Sequence, residues 1–225
     1  IITVPLEIDG TSQGDTTAGP LIELVGVEGS TPFGLRTQQP LTVRRLAIGH
    51  VGVALYLPSS GESYGNYLGL AADGTTPLSN SGGVRSFGPL TIGGNSPELR
   101  NIISSNLTYG VVAQGNDRIH VEGNYIGVAA DGATARPNGR ALYIASEDGA
   151  DILQNVIATN TSYGVLANTT GVRILYNSFF SNGSGIAFSA GTRAASGSDP
   201  PGVADLLRAD VRVPHGRRDP PPLAT

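Results

Sequence analysis

The chain has 225 residues, a formal net charge of −4 and no Cys, Met or Trp. The lack of Cys excludes disulfides and thiolate metal sites, and the negative balance gives no basic stripe for nucleic acid. No apolar run approaches the roughly 20 residues that cross a bilayer. We therefore expect neither a nucleic-acid partner nor a membrane span. Because the sequence begins at Ile1 without Met, we expect a fragment or a processed product.

Short alternating segments bounded by turn residues recur along the chain, after an irregular first coil over residues 1–33. Each segment is rich in β-branched residues and is bounded by Gly, Asn or Ser, a pattern typical of strands. One type of segment, usually led by Gly, recurs seven times. These segments begin at Gly34, Gly52, Gly83, Gly110, Ala141, Gly164 and Gly185.

An Asn followed by an apolar-rich tetrapeptide forms a second repeated unit. The successive spacings of its five copies are 35, 23, 31 and 22 residues, so the short spacings define a coil of about 22 residues. Each long spacing carries an extra stretch that contains Ala-Ala-Asp-Gly. Because Asn tolerates positive φ and hydrogen-bonds nearby backbone, we expect these side chains to stack at one corner. The five copies begin at Asn66, Asn101, Asn124, Asn155 and Asn177.

Three short strands in each coil, repeated in register, predict a solenoid. The predicted fold class is therefore all-β, a single-stranded parallel β-helix of about seven coils. Stacked coils bring equivalent strands together as parallel sheets about 4.8 Å apart. Alternation of side chains assigns Leu55, Val111 and Val165 to the interior, and Ala54 and Val112 to the outside.

Asp73 and Asp131 occupy the same place in the two Ala-Ala-Asp-Gly insertions. A Ca²⁺ site there would be short of ligands, because each loop offers one carboxylate where about six to eight oxygens are wanted. A type I′ or similar Asp-Gly turn is the preferred interpretation. The three His residues are too far apart in sequence for a metal-ligand motif. We therefore expect no metal site and no cofactor, with Ca²⁺ as the one cation left open.

The motif Asn-x-Ile-x-x-Asn followed by Tyr-Gly-Val, with the Gly-Asn-Tyr-Ile-Gly-x-x-Ala-Asp-Gly insertion, resembles the right-handed parallel β-helix repeat proteins of bacteria. These include pectate-lyase-like enzymes, alginate-epimerase-like and copper-maturation-associated periplasmic proteins, and adhesin-like surface proteins. The resemblance implies a right-handed coil and a secreted or cell-surface location. It covers roughly residues 1–190, which we predict as the β-helix domain. We predict a Pro- and Arg-rich tail or cap over residues 191–225, in which 199–208 fits a short capping helix.

Aromatic and basic residues fall on or near the outward face of the Gly-led segments. We predict four of them as ligand-binding residues: Tyr56, Arg85, Phe87 and Tyr143. Aromatic rings on a flat sheet can stack on sugars, so the predicted partner is a polysaccharide. The alternative is scattered surface aromatics without a binding role.

Acidic residues follow the Gly-led segments, and two of them, Asp117 and Asp148, would lie close together on adjacent coils. With Glu147, Arg118 and His120 they are the candidate catalytic residues. Two carboxylates with a base and a cation suit glycoside hydrolysis or Ca²⁺-assisted elimination from a uronic acid. Solvated turn residues are the alternative. The Gly-His-Gly of polygalacturonase-like relatives and the Asp-Pro-His-Asp of epimerase-like relatives do not occur in this sequence.

Two main functional hypotheses follow from these observations. The first is a structural or binding β-helix module of a secreted or surface bacterial protein, in contact with polysaccharide and similar to adhesins. The second is a carbohydrate-active enzyme, a polysaccharide hydrolase or lyase, with its acidic residues along one strand edge. An assembly trimer built from β-helices is a third, weaker class.

Overall fold

The structure is a computed structural model that describes residues 4–14, 19–27 and 29–189. These residues form 21 strands in three parallel sheets of seven strands each. Neighbouring strands within a sheet are three strands apart along the chain, so the backbone passes once through every sheet in each coil. The predicted parallel β-helix of seven coils is therefore confirmed. The predicted capping helix over 199–208 lies outside the described residues.

The strands are named in chain order and grouped by sheet. The first sheet contains β1 (Leu6–Asp9), β4 (Leu41–Arg44), β7 (Gly61–Tyr64), β10 (Leu90–Gly93), β13 (Ile119–Glu122), β16 (Ala150–Leu153) and β19 (Val172–Leu175). The second sheet contains β2 (Ile22–Val25), β5 (Leu46–Gly49), β8 (Tyr67–Leu68), β11 (Ile102–Ile103), β14 (Tyr125–Ile126), β17 (Val156–Ala158) and β20 (Ser178–Phe180). The third sheet contains β3 (Phe33–Arg36), β6 (Val53–Leu57), β9 (Gly82–Ser86), β12 (Tyr109–Gly115), β15 (Leu142–Ser146), β18 (Tyr163–Ala167) and β21 (Ser184–Phe188).

Helical structure in the described part of the chain is limited to two short 3-10 helices. They cover Gly10–Gln13 and Pro97–Leu99. No helix in that part has the length and apolar character needed to cross a membrane.

The core consists of apolar columns that run along the axis of the stack. In the third sheet, Val84, Val111, Leu142 and Val165 follow one another in register, and all four are fully buried. Away from the corners, alternate residues of a strand point inward, so like residues in successive coils meet inside. A single coil cannot bury its apolar side chains, and only the stacking of coils creates a buried core.

The assignment of Ala54 to the outside is wrong, because Ala54 is fully buried in the core. Leu35 pairs with Leu55 in register, which makes Ala54 the equivalent of Gly34. Side chains in this column point into an interior corner, where a Cβ added at Gly34 would lie 2.6 Å from Ile48 Cγ2. The column therefore favours Gly and Ala. The strand of this coil aligns with its neighbours at a later residue than its leading Gly predicts.

Two ladders of Asn side chains join the coils at two corners. The predicted ladder lies between the first and second sheets, where Asn101 Nδ2 donates to Asn124 Oδ1 at 2.9 Å. Asn124 Nδ2 in turn donates to Asn155 Oδ1 at 3.1 Å, so the predicted stacking is confirmed. The positive φ expected of Asn falls instead on the residue before it, as before Asn124 and Asn155. A second ladder, which sequence reasoning missed, lies between the second and third sheets. Its members are Asn80, Asn106, Asn138, Asn160 and Asn182.

The two insertions fold as small hairpins outside the second sheet. They cover residues 70–77 and 128–135, and an antiparallel bridge closes each of them. The hairpins contact each other across the intervening coil, since Ala130 N donates to Gly74 O at 3.0 Å. Tyr67, which points outward from the second sheet, is only 7% exposed. The hairpins therefore cover the outward face of the second sheet in the middle coils.

Asp73 and Asp131 hold the turns of these hairpins. The Asp131 carboxylate accepts hydrogen bonds from the Thr134 hydroxyl and from the backbone N–H groups of Thr134 and Ala133, at 2.5, 2.8 and 2.9 Å. Such bonds lower the pKa of each of the two Asp carboxyls to about 2. The predicted Asp-Gly turn is confirmed, but it is not type I′. The hydrogen bond that closes the turn is donated by Gly132 N, so the two central residues are those just before Gly132, and neither has the positive φ that type I′ requires.

Candidate functional site

Aromatic and Arg side chains meet on the outward face of the third sheet, over its first three strands. The ring centroids of Phe33 and Tyr56 lie 4.9 Å apart, and those of Tyr56 and Phe87 lie 6.0 Å apart. The Arg36 guanidinium carbon is 5.0 Å from the Phe33 centroid and 5.2 Å from that of Tyr56. The Arg85 guanidinium carbon is 5.1 Å from the Phe87 centroid. We call these five residues the aromatic–arginine cluster.

Strand register builds this cluster. Arg36, Tyr56 and Arg85 are direct neighbours on β3, β6 and β9, and they lie on the outward side of the sheet. Adjacent strands are about 4.8 Å apart, so guanidinium groups and rings reach each other and attract through cation–π interaction. The structure thus brings together three of the predicted ligand-binding residues. Sequence reasoning missed Phe33 and Arg36, although Arg36 follows the same outward alternation.

Tyr143, the fourth predicted ligand-binding residue, lies in the same outward column but further along the stack. Val112 separates it from Arg85 in register. Two strand spacings correspond to about 10 Å. No ring contact joins Tyr143 to the cluster among the described residues.

The cluster carries positive charge without a described acidic partner. Neither Arg36 nor Arg85 forms an ion pair with any residue that the structure describes. Arg85 Nε is buried and has no hydrogen-bond acceptor in the same part of the chain. Burial raises the pKa of the neighbouring Tyr109 hydroxyl, and Arg85 and Arg140 partly offset that rise. Three guanidinium groups therefore lie on or beside this face.

The predicted acidic residues lie on the turns between the third and first sheets. Ile119 pairs with Ala150 in register, so Asp117 and Asp148, each two residues earlier, occupy adjacent turns. Both residues are exposed, as is Glu147. The backbone therefore places the predicted carboxylate pair on one edge, and its catalytic role stays a prediction.

The ion pairs of Arg118 and His120 are with carboxylates of the first sheet and not with the predicted carboxylate pair. Arg118 donates from Nε and Nη2 to the Asp151 carboxylate at 3.0 and 2.6 Å, and from Nη1 to the backbone oxygen of Asp148 at 2.9 Å. His120 Nε2 lies 2.9 Å from Glu122 Oε2. Both side chains therefore already have carboxylate neighbours.

Asp151 is a largely buried charged residue that sequence reasoning missed, and it is 8% exposed. Besides the Arg118 contacts it accepts a hydrogen bond from Arg173 Nε at 2.6 Å. Burial alone would raise the pKa of Asp151, but hydrogen bonds from Arg173 and Arg118 outweigh it and hold that pKa well below its ordinary value. The available signal was an Asp at the start of the apolar segment Asp151-Ile-Leu, because a buried charge needs a partner.

We expect Asp151→Asn to lower the free energy of unfolding by about 1–3 kcal/mol near pH 7, because the amide has no negative charge and offers two guanidinium groups only one acceptor oxygen in place of two. The folded-state pKa is depressed, so the stabilisation is complete above the unfolded Asp value of about 3.9 and is lost as pH falls through the folded value. Urea titrations should therefore show the gap between wild type and variant shrinking from about pH 5 to about pH 2. A gap that stays constant over that range would contradict the prediction, and Asp117→Asn is the exposed control.

The three parallel sheets, wound by one chain, define a parallel β-helix protein. Residues 95–195 match the family model described as Periplasmic copper-binding protein (NosD). That match covers 101 of 225 residues (195 − 95 + 1), just under half of the chain. Neither the curated proteins nor the solved structures give a significant match.

The described residues of this chain do not fit the copper binding that the family description names. Protein copper sites draw mainly on His, Cys and Met, and this chain has three His, no Cys and no Met. His120 lies on β13 in the first sheet, whereas His50 lies directly after β5 in the second. Within residues 4–14, 19–27 and 29–189, no group of three or more His, Asp or Glu side chains is arranged to hold a metal ion. The similarity to NosD therefore supports the β-helix fold and not a metal site.

Proposed function

We propose that the chain is a rigid β-helix module of a secreted or periplasmic bacterial protein, and that it binds acidic polysaccharide through the aromatic–arginine cluster. The observation that carries the proposal is the cluster itself, in which three rings and two guanidinium groups share one flat outward face. The periplasmic description of the matched family supports a place outside the cytoplasm.

The chemistry of the cluster favours an acidic polymer over a neutral one. Aromatic faces pack on the apolar faces of sugar rings. A guanidinium binds a carboxylate through two parallel N–H donors, and Arg36 and Arg85 have no described carboxylate partner. The whole chain is acidic at −4, so the attraction of a polyanion is local to this face.

We expect the double variant Tyr56→Ala/Arg85→Ala to bind polygalacturonate at least about tenfold more weakly than wild type, because it removes a central ring and a guanidinium. Isothermal titration calorimetry with polygalacturonate, alginate and neutral dextran measures the effect. Wild type should bind the two acidic polymers more tightly than dextran.

The matched control for this experiment removes the same residue types elsewhere. In the double variant Tyr176→Ala/Arg136→Ala, the ring is 78% exposed after β19 and the guanidinium donates to a hairpin carbonyl. We expect this control to bind like wild type. Equal binding by both double variants, or no binding of any polymer by wild type, would contradict the proposal.

A polysaccharide hydrolase or lyase that uses Asp117 and Asp148 is the second candidate function. The adjacent turns of these two residues support it, because paired carboxylates of glycosidases lie about 5–9.5 Å apart. The same polysaccharide solutions are therefore assayed for released reducing ends and unsaturated ends. Turnover that disappears in Asp117→Asn or Asp148→Asn would establish an enzyme, whereas binding without turnover supports the module.

A further inference from the structure

A groove of about 520 Å³ runs along the corner between the second and third sheets. It is lined by the turns at residues 29–32, 50–52 and 79–81 and by Leu107. These segments belong to four successive coils, and each of them precedes a strand of the third sheet. The groove therefore borders the sheet that carries the aromatic–arginine cluster.

The groove is lined by uncharged hydrogen-bonding groups. Its lining contains the hydroxyls of Ser30, Ser79 and Ser81 and the imidazole of His50, with no Asp, Glu or Arg. Ser30 and Ser81 are exposed, His50 and Ser79 are half-buried, and none of these four side chains hydrogen-bonds another described residue. Such a set suits a ligand rich in hydroxyl groups, since each hydroxyl both donates and accepts.

The groove lies next to the cluster, because its lining turns lead directly into the strands that carry the cluster. Tyr109 lies between them, with its ring over Gly82, where an added Cβ would come within 2.3 Å of the ring. Phe33 directly follows the turn at residues 29–32. Arg85 is four residues beyond Ser81 along an extended strand, which corresponds to about 13 Å. A chain of several sugars has the reach to contact both places, whereas a short fragment occupies one.

We infer that this corner groove is a second subsite, which binds the hydroxyl groups of further sugars in the chain held by the cluster. The inference rests on the proposed polysaccharide binding and adds to it. It assigns charge recognition to the cluster and hydroxyl recognition to the groove. It also implies that affinity increases with the length of the bound oligosaccharide.

The test compares oligogalacturonides of two and six sugars by calorimetry. Ser79→Ala/Ser81→Ala removes two groove hydroxyls without changing the backbone. We expect this variant to bind the six-sugar probe about fivefold more weakly or worse, and the two-sugar probe as wild type does. Ser162→Ala/Ser184→Ala, which removes two hydroxyls further along the stack, is the matched control and should change neither affinity.

The outcomes separate the subsite from the proposed function. One outcome is that Tyr56→Ala/Arg85→Ala loses affinity for both probes, while Ser79→Ala/Ser81→Ala loses affinity for neither probe or for both. That outcome would overturn the subsite and leave cluster binding in place. Equal binding of both probe lengths by wild type would also overturn the subsite and leave cluster binding in place. If wild type binds neither probe, the subsite and the proposed function both fail.

Discussion

Replacing Val111 with Asp should unfold the protein, whereas the same change at Val112 should leave it folded. Val111 is fully buried, and its register neighbours Val84 and Leu142 are also fully buried. An Asp there would place an unpaired carboxyl inside the core, which we expect to cost at least about 4 kcal/mol. Val112 points outward beside Arg85, so an Asp at that position stays solvated.

Circular dichroism and urea titration of both variants measure this difference in the free energy of unfolding. The pair Val165→Asp and Leu166→Asp repeats the comparison two strands further along the third sheet. Equal stability of the inward and outward variants would show that the assignment of faces in the third sheet is wrong.

Removing one central Asn from the first ladder is expected to destabilise the stack by about 3 kcal/mol or more, given about 1–3 kcal/mol for each buried group left unpaired. The Asn124 side chain accepts from the backbone N–H and the side-chain amide of Asn101. It also donates to the backbone oxygens of Ile92 and Glu122. Asn124→Ala therefore leaves buried donors and acceptors in two coils without partners.

Denaturant titration of Asn124→Ala tests this expectation against Asn116→Ala, which changes an exposed Asn in a turn. The control should unfold within about 0.5 kcal/mol of wild type. If Asn124→Ala were no less stable than the control, the ladder would not contribute measurably to holding the coils together.

The number and spacing of coils could be predicted from the sequence because their causes are local. In five of the seven coils a corner Asn and a short alternating strand lie within a few residues of each other, and stacking repeats this pattern from coil to coil. The burial of Ala54 could not be predicted, because the leading Gly of that coil is not level with the leading Gly of the preceding coil. Only the pairing of Leu35 with Leu55 fixes the register there.

The second Asn ladder was predictable in principle. The motif Asn-x-Ile-x-x-Asn already contains its residue, and Asn155 and Asn160 are one example. In two coils, however, an insertion separates the two Asn residues, as between Asn124 and Asn138, and hides the common spacing. Contacts across such insertions depend on three-dimensional register and not on local sequence.

The candidate site, like the fold, could be predicted from the sequence only in part. Outward alternation placed Tyr56 and Arg85 on one face, and the structure brings them together. Phe33 belongs to the irregular first coil, where the repeat is too weak to assign a face. The ion pairs of Asp151 involve Arg118 and Arg173, which are distant in sequence and meet only through stacking.

The contact between the two hairpins has a consequence for how such a protein can lengthen or shorten during evolution. Asn66 and Asn124, which precede the two hairpins, are 58 residues apart, and one coil without an insertion lies between them. Arg136 Nε reaches across this interval to the backbone oxygen of Thr75 at 2.7 Å. Gain or loss of a two-coil unit preserves this spacing, whereas gain or loss of a single coil between the hairpins would separate them or force them together.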